Sequence, residues 1–323
     1  MMEENLFEIC GVKVERGTIS RLRLKISEYF TSFPAYIPII VIRGITDGLR
    51  LFVTGAIHGN ELNGIEIVRR ITTKVNPKKL SGTLICVPIV NIFGFYNSSR
   101  LLPDRRDLNN HFPGSVDGSS ASRIAYTLFN EVILKCHYGV DIHTQYNLES
   151  NVPYIVGNLK NMETKRIAEA FGTPVIIDSN GEKDSLLRES EECGITTILY
   201  KGGQRRRFDK KMIEIGYNGI INVLNELDML KIKRKRNVKS KPLIVHKQTS
   251  VYTNRGGILN LLVKSGDIIK KGRKIAVVVN PFGREIEKIY SPVTAMIIGL
   301  SVNPLVNPGG IVCQLAKISK QNK

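Results

Sequence analysis

Short apolar runs alternate with longer amphipathic stretches over the first 230 positions, and this alternation constrains the fold more than any other feature of the chain. Runs rich in β-branched residues predict strands, whereas apolar residues at helical spacing predict helices. Strands that alternate with helices are typical of an α/β domain with a largely parallel sheet. The predicted strands are 37–43, 51–54, 83–90, 139–143, 154–156, 174–177 and 196–200, and the predicted helices are about 64–74, 119–136, 161–171, 183–193 and 208–230.

One long segment interrupts this alternation. Residues 91–118 are rich in Asn, Asp, Pro, Gly and Arg, so we expect a loop there. A loop of this length without its own helices or strands usually carries function or is disordered. The segment is therefore a candidate for part of a functional site.

The pattern of residues along the sequence changes after position 230. A basic run, Lys231-Ile-Lys-Arg-Lys-Arg236, opens a segment with little periodicity, which we interpret as a linker. Beyond it, short strand-like runs alternate with turns, and the stretches 257–279 and 295–315 repeat the same hairpin pattern. The predicted organisation is an α/β domain at 1–230, a basic linker at 231–245 and a small all-β domain, like a β-barrel or hammerhead, at 246–323.

The chain is strongly basic, with 47 Lys and Arg against 29 Asp and Glu and a formal net charge of +18. Such an excess fits either an acidic partner or a solvated basic surface. The basic clusters at 205–211 and 231–241 are not rich in aromatic residues, and the chain has no Trp, which argues against nucleic-acid binding. Apolar runs fall short of the ~20 residues that a membrane helix needs, so we expect no membrane partner.

The chain has five cysteines, an odd number, and no two of them form a C-x-x-C pair. This pattern argues against a disulfide framework and against a cysteine zinc site. The first ten residues, MMEENLFEIC, also lack the basic-then-apolar order of a secretory signal. We therefore expect a cytoplasmic protein, and we leave open whether it is a monomer or a homo-oligomer.

Two strand ends carry side chains that suit a metal ion. His58 and Glu61 follow one predicted strand, and His143 ends another. Imidazole and carboxylate are good zinc ligands, and a catalytic zinc site typically uses three protein ligands and a water. Open α/β sheets build their sites at the carboxyl ends of strands, so these residues are candidate zinc ligands. Asp141 either orients a ligand from outside or caps a turn, and both interpretations stay open.

In these segments the chain resembles a known family. Gly55-Ala-Ile-His-Gly-Asn-Glu61, Asp107-Leu-Asn109 with His111-Phe-Pro-Gly114, and Asp141-Ile-His-Thr144 are similar to motifs of the succinylglutamate desuccinylase/aspartoacylase family, a branch of the zinc carboxypeptidase-like hydrolases. The resemblance runs from about residue 50 to the C-terminus. It implies a three-layer α/β/α domain with a mostly parallel mixed sheet, followed by a small all-β domain. It also implies one Zn²⁺ per chain and hydrolysis of an amide bond in a small N-acylated substrate.

The resemblance further implies roles for individual residues. His58, Glu61 and His143 match the zinc ligands, and Arg100 matches the arginine that polarises the scissile carbonyl. A cation at that place stabilises the developing oxyanion. Asn109 matches the asparagine of an Asp-Leu-Asn-Arg motif that binds the carboxylate of the substrate.

Two positions depart from the family pattern. The motif Asp-Leu-Asn-Arg reads Asp107-Leu-Asn-Asn110 here, so a neutral residue stands where a carboxylate-binding arginine is expected. The general-base glutamate is expected in a stretch like Tyr-Glu-Ala-Gly-Glu, and this chain has Tyr200-Lys201-Gly-Gly-Gln204. Lys201 therefore stands at the position of the base, although an ammonium group cannot take a proton from water.

Three interpretations of Lys201 stay open. The chain is a zinc-dependent deacylase in which another carboxylate acts as the base, or a catalytically silent member that binds zinc or a ligand. Alternatively, Lys201 binds the substrate carboxylate in place of the missing arginine. The deacylase is the leading prediction, and the candidate replacement bases are Glu149, Glu189, Glu191 and Glu192. The candidate site comprises Arg100 and Lys201 for catalysis, Asn109, Asn110 and Arg100 for substrate binding, and His58, Glu61 and His143 for the metal.

Overall fold

A nine-stranded mixed sheet forms the centre of the N-terminal part of the protein. The computed structural model describes residues 7–28, 34–145, 148–231 and 241–318. The strands up to residue 245 are β1 (Phe7–Ile9), β2 (Val12–Val14), β3 (Thr18–Glu28), β4 (Pro34–Arg43), β5 (Thr46–Gly55), β6 (Ser81–Val87), β7 (Tyr138–Gln145), β8 (Ser150–Asn151), β9 (Tyr154–Gly157), β10 (Val175–Asp178), β11 (Thr196–Gln204) and β12 (Leu243–Val245).

The order of strands across this sheet is β12-β10-β9-β11-β7-β5-β6-β4-β3, and β1 and β2 form a separate ribbon. Strands β12, β10 and β9 are parallel neighbours, and so are β11, β7, β5 and β6. The pairs β9–β11, β6–β4 and β4–β3 are antiparallel. The prediction of a mostly parallel mixed sheet is confirmed.

Side chains of the central strands alternate between two hydrophobic cores, one on each face of the sheet. On β5, Phe52 packs into one core, and Leu51 and Val53 pack into the other. On β6, Ile85 and Cys86 divide in the same way. Successive residues of a strand point to opposite faces, so a sheet that is apolar on both faces needs helices on both.

The helices supply these two outer layers. Helices α1, α4 and α6 contribute to one core, and α2, α3 and α5 contribute to the other. None of the helices in the described residues combines the length and apolar character that a membrane crossing requires. The helices are α1 (Asn63–Lys74), α2 (Ile92–Tyr96), α3 (Ser120–Glu131), α4 (Met162–Phe171), α5 (Leu186–Glu192) and α6 (Lys210–Glu226), with 3-10 turns at Pro77–Lys79, Leu108–Asn110 and Ile133–Lys135.

The segment 91–118, expected to be a loop, contains helix α2 and the 3-10 turn at Leu108–Asn110. Each begins at a polar cap: the side chain of Asn91 accepts a hydrogen bond from the backbone N–H of Gly94, and the side chain of Asp107 accepts one from Asn109. Elements this short show no hydrophobic periodicity, and the sequence pattern therefore missed them.

The C-terminal part consists of antiparallel sheets. One sheet has the order β13-β20-β18-β15 and the other β17-β16-β14-β19. Both predicted hairpin units form, because β14 pairs with β16 and β18 pairs with β20. The strands are β13 (Gln248–Tyr252), β14 (Gly257–Leu261), β15 (Ile268–Ile269), β16 (Lys274–Val279), β17 (Glu285–Tyr290), β18 (Ala295–Leu300), β19 (Leu305–Val306) and β20 (Ile311–Lys317).

A short strand of the predicted linker joins the large sheet, and a short strand of the N-terminal part joins the C-terminal sheet. The linker predicted at 231–245 includes Leu243–Val245, which instead forms β12 at the edge of the large sheet; this apolar, β-branched run adds to the exposed edge of β10. In the opposite direction, β8 pairs with β18 of the C-terminal sheet. The rest of the predicted linker, 232–240, lies outside the described residues.

Candidate metal centre and active site

Three neighbouring strands carry the candidate residues to one edge of the large sheet. Strands β5, β7 and β11 are adjacent and parallel, so their carboxyl ends lie together. His58 and Glu61 follow β5, His143 lies on β7, and Lys201 lies opposite His143 on β11. All four side chains line one cavity of about 450 Å³. This volume is in the range of small-molecule sites.

His58, Glu61 and His143 form a compact buried cluster. One ligand atom of each residue lies within 4.8 Å of the others, and each residue is at most 3% exposed. Glu61 Oε1 is 2.9 Å from Nδ1 of His58, and Glu61 Oε2 is 3.5 Å from Nδ1 of His143. Both imidazole rings therefore turn Nδ1 toward the same carboxylate.

Two further carboxylates orient these rings. Nε2 of His58 donates to Oδ1 of Asp107 at 2.9 Å, and Nε2 of His143 donates to Oδ2 of Asp141 at 2.8 Å. Asp141 is itself fixed by the hydroxyl of Thr54, which donates to Oδ1 at 2.7 Å. With Nε2–H engaged in this way, Nδ1 of each ring keeps its lone pair for a metal ion. The contact of Asp141 with His143 supports the orienting interpretation of this residue.

The donor set fits a zinc ion. Lone pairs of two imidazoles and one carboxylate converge in a buried site, where they repel one another unless a proton or a cation lies between them. Thr144 lines the same cavity, and its backbone N–H donates to Oε2 of Glu61 at 2.6 Å, which fixes the carboxylate that faces both imidazoles. His58, Glu61 and His143 are thus the residues that would hold the ion.

Electrostatics keep the carboxylate of Glu61 ionised and favour a proton on the imidazole of His58, which a bound metal ion would displace. Burial disfavours the ionised form of Glu61, but the imidazoles of His58 and His143 outweigh it and lower the pKa of this carboxyl to about 2. Burial also disfavours the charged form of His58, but Glu61 and Asp107 outweigh it and raise the pKa of the imidazole. Despite its partial burial, the pKa of Asp107 lies well below the usual range because of His58 and Arg100. An ionised carboxylate can bind a metal without first losing a proton.

The loop that carries His58 is held between two other segments. A Cβ atom on Gly59 would lie 2.0 Å from the carbonyl carbon of Gly94 in α2, so only glycine permits this close approach. On the other side, the backbone N–H of Arg206 donates to the carbonyl of Asn60 at 2.7 Å. These contacts fix the histidine relative to the segment that follows α2, which carries Arg100.

Arg100 lies beside the metal cluster. Its Nε donates to Oδ2 of Asp107 at 2.9 Å, and its Nη1 lies 3.4 Å from Oε1 of Glu61. The side chain lines the cavity and is 28% exposed, so it is accessible from the cavity. This position suits a cation that stabilises negative charge on a substrate oxygen.

The structure separates the two asparagines that were predicted to bind substrate. Asn109 lines the cavity, and its Oδ1 accepts a hydrogen bond from the backbone N–H of Leu186 at 3.1 Å, which leaves the amide N–H₂ group for a ligand. Asn110 is exposed and does not line the cavity. Successive residues of a 3-10 turn project about a third of a turn apart. The predicted contact between Asn110 and the substrate is therefore not supported.

Another carboxylate in the cavity was missed in the sequence. Glu182 lines the cavity and follows β10. The sequence signal that could have identified Glu182 is its position after the end of a predicted strand, which is also the signal that identified His58. The replacement bases considered from the sequence are engaged elsewhere; for example, Glu149 accepts from the backbone of Val302 and Glu191 from the backbone of Thr197. The cavity wall does not include Glu149, Glu189, Glu191 or Glu192.

The C-terminal part completes the cavity wall. Gln248 on β13 and Gln314 on β20 line it, together with Gln145 and Tyr154 of the large sheet. A larger cavity, of about 1200 Å³, lies between β3, α2 and α3. The wall of this larger cavity includes no residue of the His-Glu-His cluster. The candidate active site is therefore identified by the residues that line the smaller cavity, and not by cavity volume.

A largely parallel sheet that brings a His-Glu-His donor set and an arginine to its carboxyl edge is an arrangement that metallohydrolases use. A model of the succinylglutamate desuccinylase/aspartoacylase catalytic domain matches residues 47–227, more than half of the chain. The chain belongs to this family.

Proteins similar to this chain agree with that assignment. The N-alpha-acetyl-L-2,4-diaminobutyric acid deacetylase of Halomonas elongata is 27% identical over 272 residues, which cover 79% of this chain and 78% of that protein. A succinylglutamate desuccinylase/aspartoacylase from Rhodobacter sphaeroides superposes with a TM-score of 0.81 at 21% identity, covering 94% of this chain and 96% of that chain. The product-bound ectoine utilization protein EutE (DoeB) of Ruegeria pomeroyi gives 0.81 at 21% identity, covering 94% and 95%. The two structures show a shared fold over nearly the whole chain.

Proposed function

We propose that this protein is a zinc-dependent deacylase that hydrolyses the amide bond of a small N-acylated amine or amino acid. The observation that carries the proposal is the buried cluster of His58, Glu61 and His143 with Arg100 beside it in one cavity. Membership of a deacylase family supports it. The relative from Halomonas elongata, whose name specifies an N-acetylated amino acid, supports this class of substrate.

Each residue has a role that follows from its contacts. A zinc ion at the cluster would polarise the scissile carbonyl and acidify a water molecule. Asp107 and Asp141 hold the two imidazoles in position through their Nε2 atoms. Arg100 donates to the oxygen on which negative charge develops. The amide group of Asn109 is available to donate to a polar group of the substrate.

Hydrolysis also needs a group that accepts a proton. Lys201 lines the cavity at the position expected for the base, and an ammonium group cannot serve in that role. The acidic residues of the cavity wall are Glu61 and Glu182. Glu61 is engaged by two histidines, so Glu182 is the other acidic residue on the cavity wall among the described residues.

The position of Lys201 favours a second candidate function. In this alternative the protein keeps the metal cluster and the cavity but binds an N-acylated compound without hydrolysing it. For both candidate functions, we propose that the protein works in a reducing compartment such as the cytoplasm, because its five cysteines are free.

A hydrolysis panel separates the two functions. The full chain, loaded with one equivalent of zinc, is incubated with N-acetyl and N-succinyl derivatives of amino acids and of diamines, and release of the free amine is followed with an amine-reactive dye. We expect turnover of at least one class of compound. Binding of these compounds by calorimetry without any release of amine would overturn the deacylase and support the silent binding protein.

A further inference from the structure

Two donor side chains face each other on the cavity wall formed by β9 and β11. Lys201 and Tyr154 are directly opposite partners in this antiparallel pair. Residues in such positions project to the same face, with Cβ atoms about 5 Å apart. Both line the cavity that contains the metal cluster. A small ligand can therefore contact both groups at once.

The hydroxyl group of Tyr154 is oriented by glutamine side chains. Nε2 of Gln145 donates to this hydroxyl at 2.8 Å and lies 3.3 Å from Oε1 of Gln314. Nε2 of Gln314 in turn donates to Oε1 of Gln248 at 2.7 Å. The tyrosine oxygen is thus occupied as an acceptor, and its hydrogen finds no acceptor among the described residues. Tyr154 is only 3% exposed, but it lines the cavity, so this hydrogen can be donated to a ligand bound there.

Lys201 provides the charge next to this donor. Within the described ranges, its ammonium group forms neither an ion pair nor a hydrogen bond. The neighbouring charges are compensated differently: Glu61 faces two imidazoles, and Arg100 pairs with Asp107. Burial raises the pKa of Tyr154 although Lys201 opposes this, so the phenol keeps its proton. The wall therefore offers a cation and a neutral donor side by side.

We propose that Lys201 and Tyr154 form a subsite for one carboxylate group of the substrate. The ammonium group binds one carboxylate oxygen and the phenol donates to the other, an arrangement that suits a planar anion with two acceptors. The proposal rests on the proposed function for the claim that the bound compound is an N-acylated amine. It assigns to Lys201 a binding role in place of proton transfer. It also explains how the cavity compensates for the neutral, exposed Asn110.

The C-terminal part takes part in this subsite through a positioning residue. Gln314 lies on β20 and contacts Gln145, which holds Tyr154. Gln314 therefore affects ligand binding indirectly, because it helps to orient the phenol of Tyr154. The carboxylate itself can belong to the acyl group or to the amine part of the substrate, and the two sources are distinguished by experiment.

The test measures binding to the zinc-free full chain, so that it does not depend on turnover. Calorimetric titrations use N-acetyl-L-alanine (carboxylate on the amine part), N-methylsuccinamic acid (carboxylate on the acyl part) and N-acetyl-L-alaninamide (no carboxylate). We expect one of the two acids to bind at least 10-fold more tightly than the carboxamide. Lys201→Met is expected to remove this preference, Tyr154→Phe to reduce it about 3-fold to 10-fold, and Lys201→Arg to keep most of it.

Lys210→Met is the matched control, since Lys210 is an exposed lysine of α6 that does not line the cavity. Equal loss of affinity for acid and carboxamide in Lys201→Met would mean a structural role and would overturn the subsite. Equal affinity of the wild-type chain for acids and carboxamide would overturn it as well. If the preference is present but the zinc-loaded chain releases no amine, the subsite stands and the deacylase fails.

Discussion

Replacing His143 with alanine is expected to leave the protein folded and without stoichiometric zinc. The change removes one of three converging donors, and two ligands do not form a catalytic zinc site. Amide hydrolysis should fall about 10³-fold or more, because the metal supplies several kcal/mol of transition-state stabilisation. Metal analysis of the purified variant, with circular dichroism to verify the fold, measures the first effect.

Two further variants make this prediction specific. Asp141→Asn keeps all three ligands but weakens the hold on Nε2 of His143, so zinc affinity should fall about 10-fold to 100-fold. His246→Ala is the control, because His246 is an exposed histidine paired with Asp178 outside the cluster. Retention of one zinc per chain by His143→Ala would show that the zinc ion is bound somewhere other than at this cluster.

Replacing Arg100 with methionine is expected to lower kcat about 10²-fold to 10³-fold, the usual cost of removing one donor to a developing oxyanion. The guanidinium contacts Glu61 and Asp107 but is not among the zinc-type donors, so the zinc content should stay near that of the wild type. Steady-state kinetics on the best N-acyl substrate, alongside metal analysis, measure both quantities.

The control for this variant is Arg106→Met, since Arg106 is exposed and does not line the cavity. A rise in KM with unchanged kcat for Arg100→Met would assign Arg100 to ground-state binding and reject its role in charge stabilisation. Loss of zinc together with activity would instead point to disruption of Asp107 and the ring that it orients.

Much of the fold was predictable because its determinants are local. On β5 and β6, successive apolar residues serve the two faces of the sheet, and the resulting continuous runs are recognisable as buried strands. The same applies to the metal cluster. His58, Glu61 and His143 stand at the ends of predicted strands, and parallel neighbours bring such ends together.

Features that depend on distant segments were not predictable. Gln314 reaches the cavity from β20, and no local pattern connects it with Tyr154 of β9. Strand β12 falls within the predicted linker because its pairing with β10 is decided by tertiary structure. The exposure of Asn110 depends on the direction in which a short 3-10 turn faces, which a motif match cannot resolve.

The most direct measurement of the central claim is an activity titration with zinc. The full chain is depleted of metal with a chelator, zinc is added back in fractions of an equivalent, and hydrolysis of the best N-acyl substrate is recorded at each step. The account predicts that activity is absent without zinc, rises linearly and stops rising at one ion per chain. Activity that is unaffected by chelation, or no activity at one bound zinc per chain, would contradict it.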